Sequence, residues 1–219
     1  MSKIEKLALK ALPFWDKETG FSSIHEDWCE INNLKPLAKA KVPGAKEVKN
    51  LSYAILSNTD RNFWANLEPL SGINFLHYLL SNFHGQISIL TSPIQKSGRF
   101  SEECMWGKAD WIRKYVDPEI MIIFDNEKEN YATASSLLID DRYDKLAKFK
   151  EAGGMTLDIK HINTHFFYAT ALGCSGWESF MKEKVFDNVN HIYWDMDGCL
   201  TNLQKSLKSL ITETMNSLL

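Results

Sequence analysis

The sequence predicts an α/β protein in which a parallel sheet lies between helical layers and carries a small, mostly helical lobe. Three observations lead there. From Gln86 onward, short runs rich in Ile, Leu and Val alternate with longer polar-patterned stretches, as buried parallel strands with crossover helices do. Residues 13–70 break that pattern with Pro13, Pro36 and Pro43, and carry Phe14, Trp15, Phe21, Trp28, Tyr53, Phe63 and Trp64. At 219 residues and 44% hydrophobic, the chain can build one sizeable core but hardly two. The lobe is assigned to residues 1–66, completed by 201–219, and the sheet domain to 67–200.

In chain order, Ile4, Leu7, Ala8 and Ala11 form a helical stripe at the N-terminus. Ser71 is placed as the N-cap of a helix running through Phe83 and closed by Gly85. Strands are expected at Ile87 to Leu90, Ile120 to Phe124, Leu137 to Ile139, Met155 to Leu157 and Ile192 to Trp194. Between them, Ser101 to Val116 and Asp141 to Glu151 have helical periodicity, the second stopped by Gly153-Gly154. A further helix is expected from Ser175 to Phe186, and Leu203, Leu207, Leu210, Ile211, Met215 and Leu218 form a final stripe.

Charge and composition narrow the function. Lys and Arg total 25 against 28 acidic residues, a formal charge of -3, which offers no footprint for a phosphate backbone; no stable nucleic-acid binding is expected. The apolar runs fall well short of the roughly 20 residues that span a bilayer, and the start is charged and amphipathic, so no membrane partner and no export signal are expected. Cys29, Cys104, Cys174 and Cys199 form no C-x-x-C pair, and reduced thiols in a cytoplasmic protein are the simplest reading.

The chemistry is in how three strands end. Ile87 to Leu90 runs into Thr91-Ser92-Pro93, Leu137 to Ile139 into Asp140-Asp141, and Ile192 to Trp194 into Asp195-Met196-Asp197-Gly198. In an open parallel sheet, ligands bind beyond the carboxyl ends of the strands, so the three terminations converge on one crevice. Any one of them alone is an ordinary turn or helix cap; their joint occurrence makes a site. Four carboxylates gathered together call for a cation, all-oxygen ligation favours Mg²⁺, and Mg²⁺ points to phosphate chemistry.

These residues resemble the motifs of the haloacid dehalogenase-like phosphatases. Asp195-Met196-Asp197-Gly198-Cys199-Leu200 resembles the family's first motif, Thr91 its second, and Asp140-Asp141 its fourth. The order differs: the Asp-x-Asp strand, first in the family, is here last. The resemblance therefore implies a three-layer Rossmann-like core with a small helical cap, circularly permuted within the cap segment. Residues 62–72, 89–93 and 137–142 are most similar to the 5'(3')-deoxyribonucleotidases, while residues 1–58 have no clear match. With its Asp-x-Asp strand so late, the chain is expected as a monomer or homodimer, unswapped, with that strand between those ending at Thr91 and Asp140.

The resemblance implies roles. Asp195 is the nucleophile, and Asp197 donates and then takes a proton. Asp141 holds Mg²⁺ with Asp195 and the backbone carbonyl of Asp197, and Asp140 lies near the ion or acts through water. Thr91, the amide of Ser92 and Lys128 bind the phosphoryl group. Lys108 resembles a second lysine of those relatives, leaving open which of the two is the third-motif residue. Phe63 and Trp64 are expected beside the substrate, where a ring can stack on a nucleobase. His161 and His165 lack the Glu of a zinc-protease motif and are given no role. The expected activity is a Mg²⁺-dependent phosphomonoesterase acting on a small phosphorylated substrate, a (deoxy)nucleoside monophosphate. A phosphatase or phosphotransferase acting on sugar phosphates or nucleic-acid ends, or a non-catalytic binding protein, remains the alternative.

Overall fold

A computed structural model of the chain describes residues 1–15, 44–160, 186 and 188–218. The expectations for Phe21, Trp28, Cys29, Pro36, Pro43, His161, His165, Cys174 and the helix from Ser175 lie outside the described residues.

Helix α1 (Lys3–Ala11) opens with a reciprocal capping box: Ser2 Oγ accepts from the Glu5 amide at 3.1 Å and Glu5 accepts from the Ser2 amide at 2.5 Å. It packs against α2 (Ala45–Leu56) and the last helix, α7 (Leu203–Asn216). The short α3 (Arg61–Ala65) is capped by Asp60, whose carboxylate accepts from the Phe63 amide at 2.9 Å. Next comes α4 (Gly72–Asn82), where Ser71 takes the N-cap position without capping. Its backbone is already helical there (φ -59°, ψ -22°), which differs from the extended geometry that lets a serine reach the next turn's amides.

Five parallel strands follow: β1 (Gln86–Thr91), β4 (Met121–Phe124), β5 (Ser136–Asp140), β6 (Met155–Asp158) and β7 (His191–Trp194), in the order β4-β1-β7-β5-β6. The last strand in the chain is thus the middle of the sheet, between the strands ending at Thr91 and Asp140, as expected. Two short strands, β2 (Gln95–Lys96) and β3 (Arg99–Phe100), form a hairpin after Thr91 that periodicity cannot show in so few residues. Helix α5 (Glu102–Tyr115) occupies the expected range, with Ser101 Oγ accepting from the Cys104 amide. By contrast α6 (Tyr143–Glu151) begins two residues later than expected, because Asp140 accepts from the Arg142 amide at 2.9 Å and the acid pair faces the site.

Side-chain alternation sorts the sheet into two faces. Ile89, Leu137, Ile139, Ile192 and Trp194 point into the larger apolar cluster with residues of α1, α2, α4, α5 and α7. Leu90, Leu138 and Tyr193 point the other way, onto Leu146 and Phe149 of α6. Ile89, Trp194 and Ile139 are in register across three strands, so the next residues on β7 and β5, Asp195 and Asp140, come out level at one edge. No helix among the described residues is long and apolar enough to cross a membrane.

Candidate active site

Thr91 ends β1 fully buried and accepts a hydrogen bond on Oγ1 from Lys108 Nζ at 2.8 Å. That ammonium comes from α5 and is itself fully buried; it also donates to the Ser92 carbonyl at 3.1 Å and to Asp197 at 2.6 Å. Burial pushes the Lys108 pKa down, but Asp197 first, then Cys104 and Asp195, outweigh it and the net shift is upward. Lys108 can stand so deep because Gly107 lets α3 lie directly against α5. A Cβ there would fall within 2.5 Å of the Arg61 carbonyl and the Trp64 Cβ. Arg61 grips Asp110 on the outer side of this contact, and Trp111 Nε1 donates to the Leu67 carbonyl at 2.8 Å.

The second ammonium belongs to Lys128, in the 3₁₀ turn Lys128–Tyr131 that follows β4. Its Nζ donates to Asp140 at 2.6 Å and to Asp195 at 2.5 Å, with the lysine 2% exposed and Asp140 fully buried. Burial again acts downward and is overcome by Asp195 and Asp140, so this lysine is held charged. The ends of β1 and β4 are latched by the Asp125 amide donating to the Thr91 carbonyl at 3.1 Å and by Ser92 Oγ donating to the Asp125 carbonyl at 3.1 Å. Ser92 therefore meets the site through its backbone, and its hydroxyl is used elsewhere.

Beyond β7 the chain turns sharply. Asp195 still donates its amide to the Ile139 carbonyl at 2.9 Å, and Leu200 and Thr201 then donate back to Met196. Gly198 sits in this turn at φ +76°, and its missing side chain leaves the space that the Asp141 carboxylate fills. Leu70 donating to Leu200 at 2.7 Å and Asn202 donating to Glu68 at 2.8 Å tie the turn to the segment leading into α4.

Four carboxylates (Asp140, Asp141, Asp195, Asp197) thus face two ammonium groups, leaving a formal excess of two negative charges. Burial pushes Asp141 up to about 8, with Asp195, Asp140 and Asp197 adding to it. Burial also raises Asp197, opposed by Lys108 and reinforced by Asp195. Asp141 Oδ1 and Asp197 Oδ1 are buried with no hydrogen-bond partner. Ligand atoms of Asp141, Asp195 and Cys199 lie within 4.8 Å of one another, and the group could hold a metal ion. An unpartnered buried oxygen, and acids whose proton affinity rises because they crowd together out of water, fit a divalent cation that would replace the proton.

Asp195, Asp197, Asp140, Asp141, Thr91, Ser92, Lys108 and Lys128 all meet here. Among the four acids expected around the metal, Asp140 stands apart: its oxygens are taken by Lys128 and the Arg142 amide, so its carboxylate anchors the lysine. The Asp197 carboxylate, expected as the proton carrier, meets Lys108. Cys199, expected as a plain reduced thiol, is brought together here with Asp141 and Asp195; its sequence signal is its place directly after Asp-x-Asp-Gly. Trp64 departs from expectation. It is 1% exposed, with Lys108 Nζ 5.6 Å from its ring centre and Phe63 edge-on at 5.2 Å, so it has no open face for a base. Phe63 is half-buried and lines a groove of about 370 Å³ among Ile4, Ile55, Asp60 and Leu210.

No protein family, curated protein or solved structure matches the chain.

Proposed function

We propose that this chain is a divalent-cation-dependent phosphomonoesterase, with Mg²⁺ as its working ion, that hydrolyses a small phosphorylated substrate through an aspartyl phosphate on Asp195. The observation that carries the reading is the pairing at the end of the central strand: Asp195 and Asp197, two residues apart, each contact a different buried lysine. Nucleophile and proton carrier thus have separate cationic partners.

In the first half-reaction, an Asp195 oxygen attacks phosphorus in line and the bond to the leaving oxygen breaks. Asp197, whose raised pKa favours the acid form, gives that oxygen its proton. In the second, the Asp197 carboxylate takes a proton from a water that attacks the same phosphorus, releasing phosphate and restoring Asp195. Lys128 holds Asp195, and Thr91, the amide of Ser92 and Lys128 would bind the transferring phosphoryl oxygens, with Lys108 anchored between Thr91 and Asp197. Asp141 and Asp195 would hold the cation, which neutralises charge between nucleophile and phosphate when bound.

A (deoxy)nucleoside monophosphate is the substrate the reading favours, resting on the resemblance of residues 62–72, 89–93 and 137–142 to deoxyribonucleotidases. Phosphate release is measured across nucleoside 5'- and 3'-monophosphates, sugar phosphates and aryl phosphates, with and without Mg²⁺. Metal-dependent release with preference for a nucleotide is expected; no release from any of them removes the reading.

A further inference from the structure

The donor set around Asp141 is not one that a magnesium site alone requires. Two of its three members offer carboxylate oxygen and the third offers sulfur. Hard ions such as Mg²⁺ gain little from sulfur, whereas ions of the zinc class bind thiolate and carboxylate together. Cys199 is 1% exposed, so its sulfur is shielded from bulk solvent. The turn that carries it is held by Leu200 and Thr201 donating to Met196, and by Gly198 donating to Thr201 at 3.1 Å. The sulfur is therefore fixed relative to Asp195 by four residues of chain and does not depend on a distant element.

We propose that Cys199 is a third ligand of the cation site, giving it two oxygens and one sulfur, and that the site takes a zinc-class divalent ion, Zn²⁺ or Co²⁺, in competition with Mg²⁺. The inference rests on Asp141 and Asp195 being cation ligands. Distances allow it: Zn–S is about 2.3 Å and Zn–O about 2.0–2.2 Å. Around a tetrahedral ion at those lengths, neighbouring ligand atoms lie about 3.4–3.6 Å apart, so side-chain rotations would draw the group, whose atoms lie within 4.8 Å of one another, inward onto the ion. Asp141 Oδ1, buried and without a hydrogen-bond partner, is one oxygen ready for the ion. Sulfur ligates as thiolate, so the ion replaces the thiol proton, which passes to solvent. The site would then be loaded by whichever ion prevails: Mg²⁺ through the carboxylates, or a zinc-class ion gripped additionally by Cys199.

The full chain is titrated with Co²⁺ and followed by absorption, alongside Cys199→Ala and Cys199→Ser, both small enough for a fully packed position. The wild type is expected to show the visible bands of bound cobalt together with a near-ultraviolet sulfur-to-cobalt charge-transfer band. Both variants, checked for an unchanged cooperative melt, are expected to lose the charge-transfer band and keep the visible ones. Cobalt bound without the sulfur band in the wild type, or a sulfur band that persists in both variants, overturns the inference while leaving the carboxylate site and Mg²⁺-dependent hydrolysis standing. Absence of any Co²⁺ or Mg²⁺ binding overturns the cation site itself, and this inference with it.

Discussion

Gly198 and Asp141 share one volume: the carboxylate of Asp141 lies where a side chain on residue 198 would begin. Gly198 also holds a left-handed backbone (φ +76°), which costs a residue with a Cβ about 1–2 kcal/mol. Gly198→Ala is therefore expected to lower the melting temperature and to weaken Mg²⁺ binding, because Asp141 must move. Unchanged Mg²⁺ affinity by calorimetry would show that Asp141 is not a ligand.

Asp195→Asn is expected to abolish phosphate release while leaving the circular dichroism spectrum and melt intact, since it keeps the shape of the side chain and removes the nucleophile. Asp197→Asn is expected to slow turnover by about 10² to 10⁴, the range of a lost proton transfer. Near-wild-type release by the Asp195 variant would falsify the covalent route.

Removing Lys128 tests the buried triad. In Lys128→Met, Asp140 and Asp195 face each other without a cation at a place where neither is solvated. A loss of about 3–5 kcal/mol in denaturant unfolding is expected, as for breaking a buried ion pair from one side. Adding Asp140→Asn is expected to restore part of it. A single-variant loss near zero would mean that water reaches the pair.

Asp141 links stability to pH. Unfolded, an aspartate titrates near pH 4; folded and free of metal, this one titrates at about 8. The folded protein thus holds that proton more tightly, and the stability this gives at low pH is lost as pH rises through the folded value. In EDTA, the melting temperature of the wild type is expected to fall between pH 5 and pH 8 more steeply than that of Asp141→Asn, and Mg²⁺ is expected to raise it most at pH 8. Parallel pH profiles for the two proteins would remove Asp141 as the cause.

The two lobe aromatics are expected to separate. Trp64→Ala is expected to cost about 3–5 kcal/mol of stability as a core truncation. Phe63→Ala is expected to weaken use of a nucleoside monophosphate more than of an aryl phosphate, since base stacking is worth about 1–3 kcal/mol. Equal losses on both substrates would place Phe63 with the core.

Strands whose apolar runs are continuous were legible because both faces of the sheet are covered: Ser136–Asp140 is buried throughout, so no polar alternation blurs it. Helix α5 was legible at both ends because Ser101 caps it and its apolar stripe stops at Tyr115. The β2–β3 hairpin escaped notice since two-residue strands have no periodicity, although Ser97-Gly98 is a turn dipeptide. Spacing alone could not tell that Asp140 faces a lysine while Asp141 faces the turn at Gly198, because adjacent residues on a strand diverge and only the partners decide. The sulfur of Cys199 is unreadable for the same reason, and the buried place of Trp64 is not legible because a flat ring reads alike in a core and on a substrate.

The order β4-β1-β7-β5-β6 also has a meaning during synthesis. At about 5–20 residues per second, β1 and β5 are finished seconds before β7 exists. Until it arrives, each has an unpaired edge facing the other across a gap one strand wide, and Lys128 has Asp140 but not yet Asp195 to pair with. Such edges are templates for pairing with other chains. The nascent protein is therefore exposed to aggregation until β7 emerges, and a ribosome-associated chaperone that holds the β1 and β5 edges apart should raise its yield more than one that acts on the released chain.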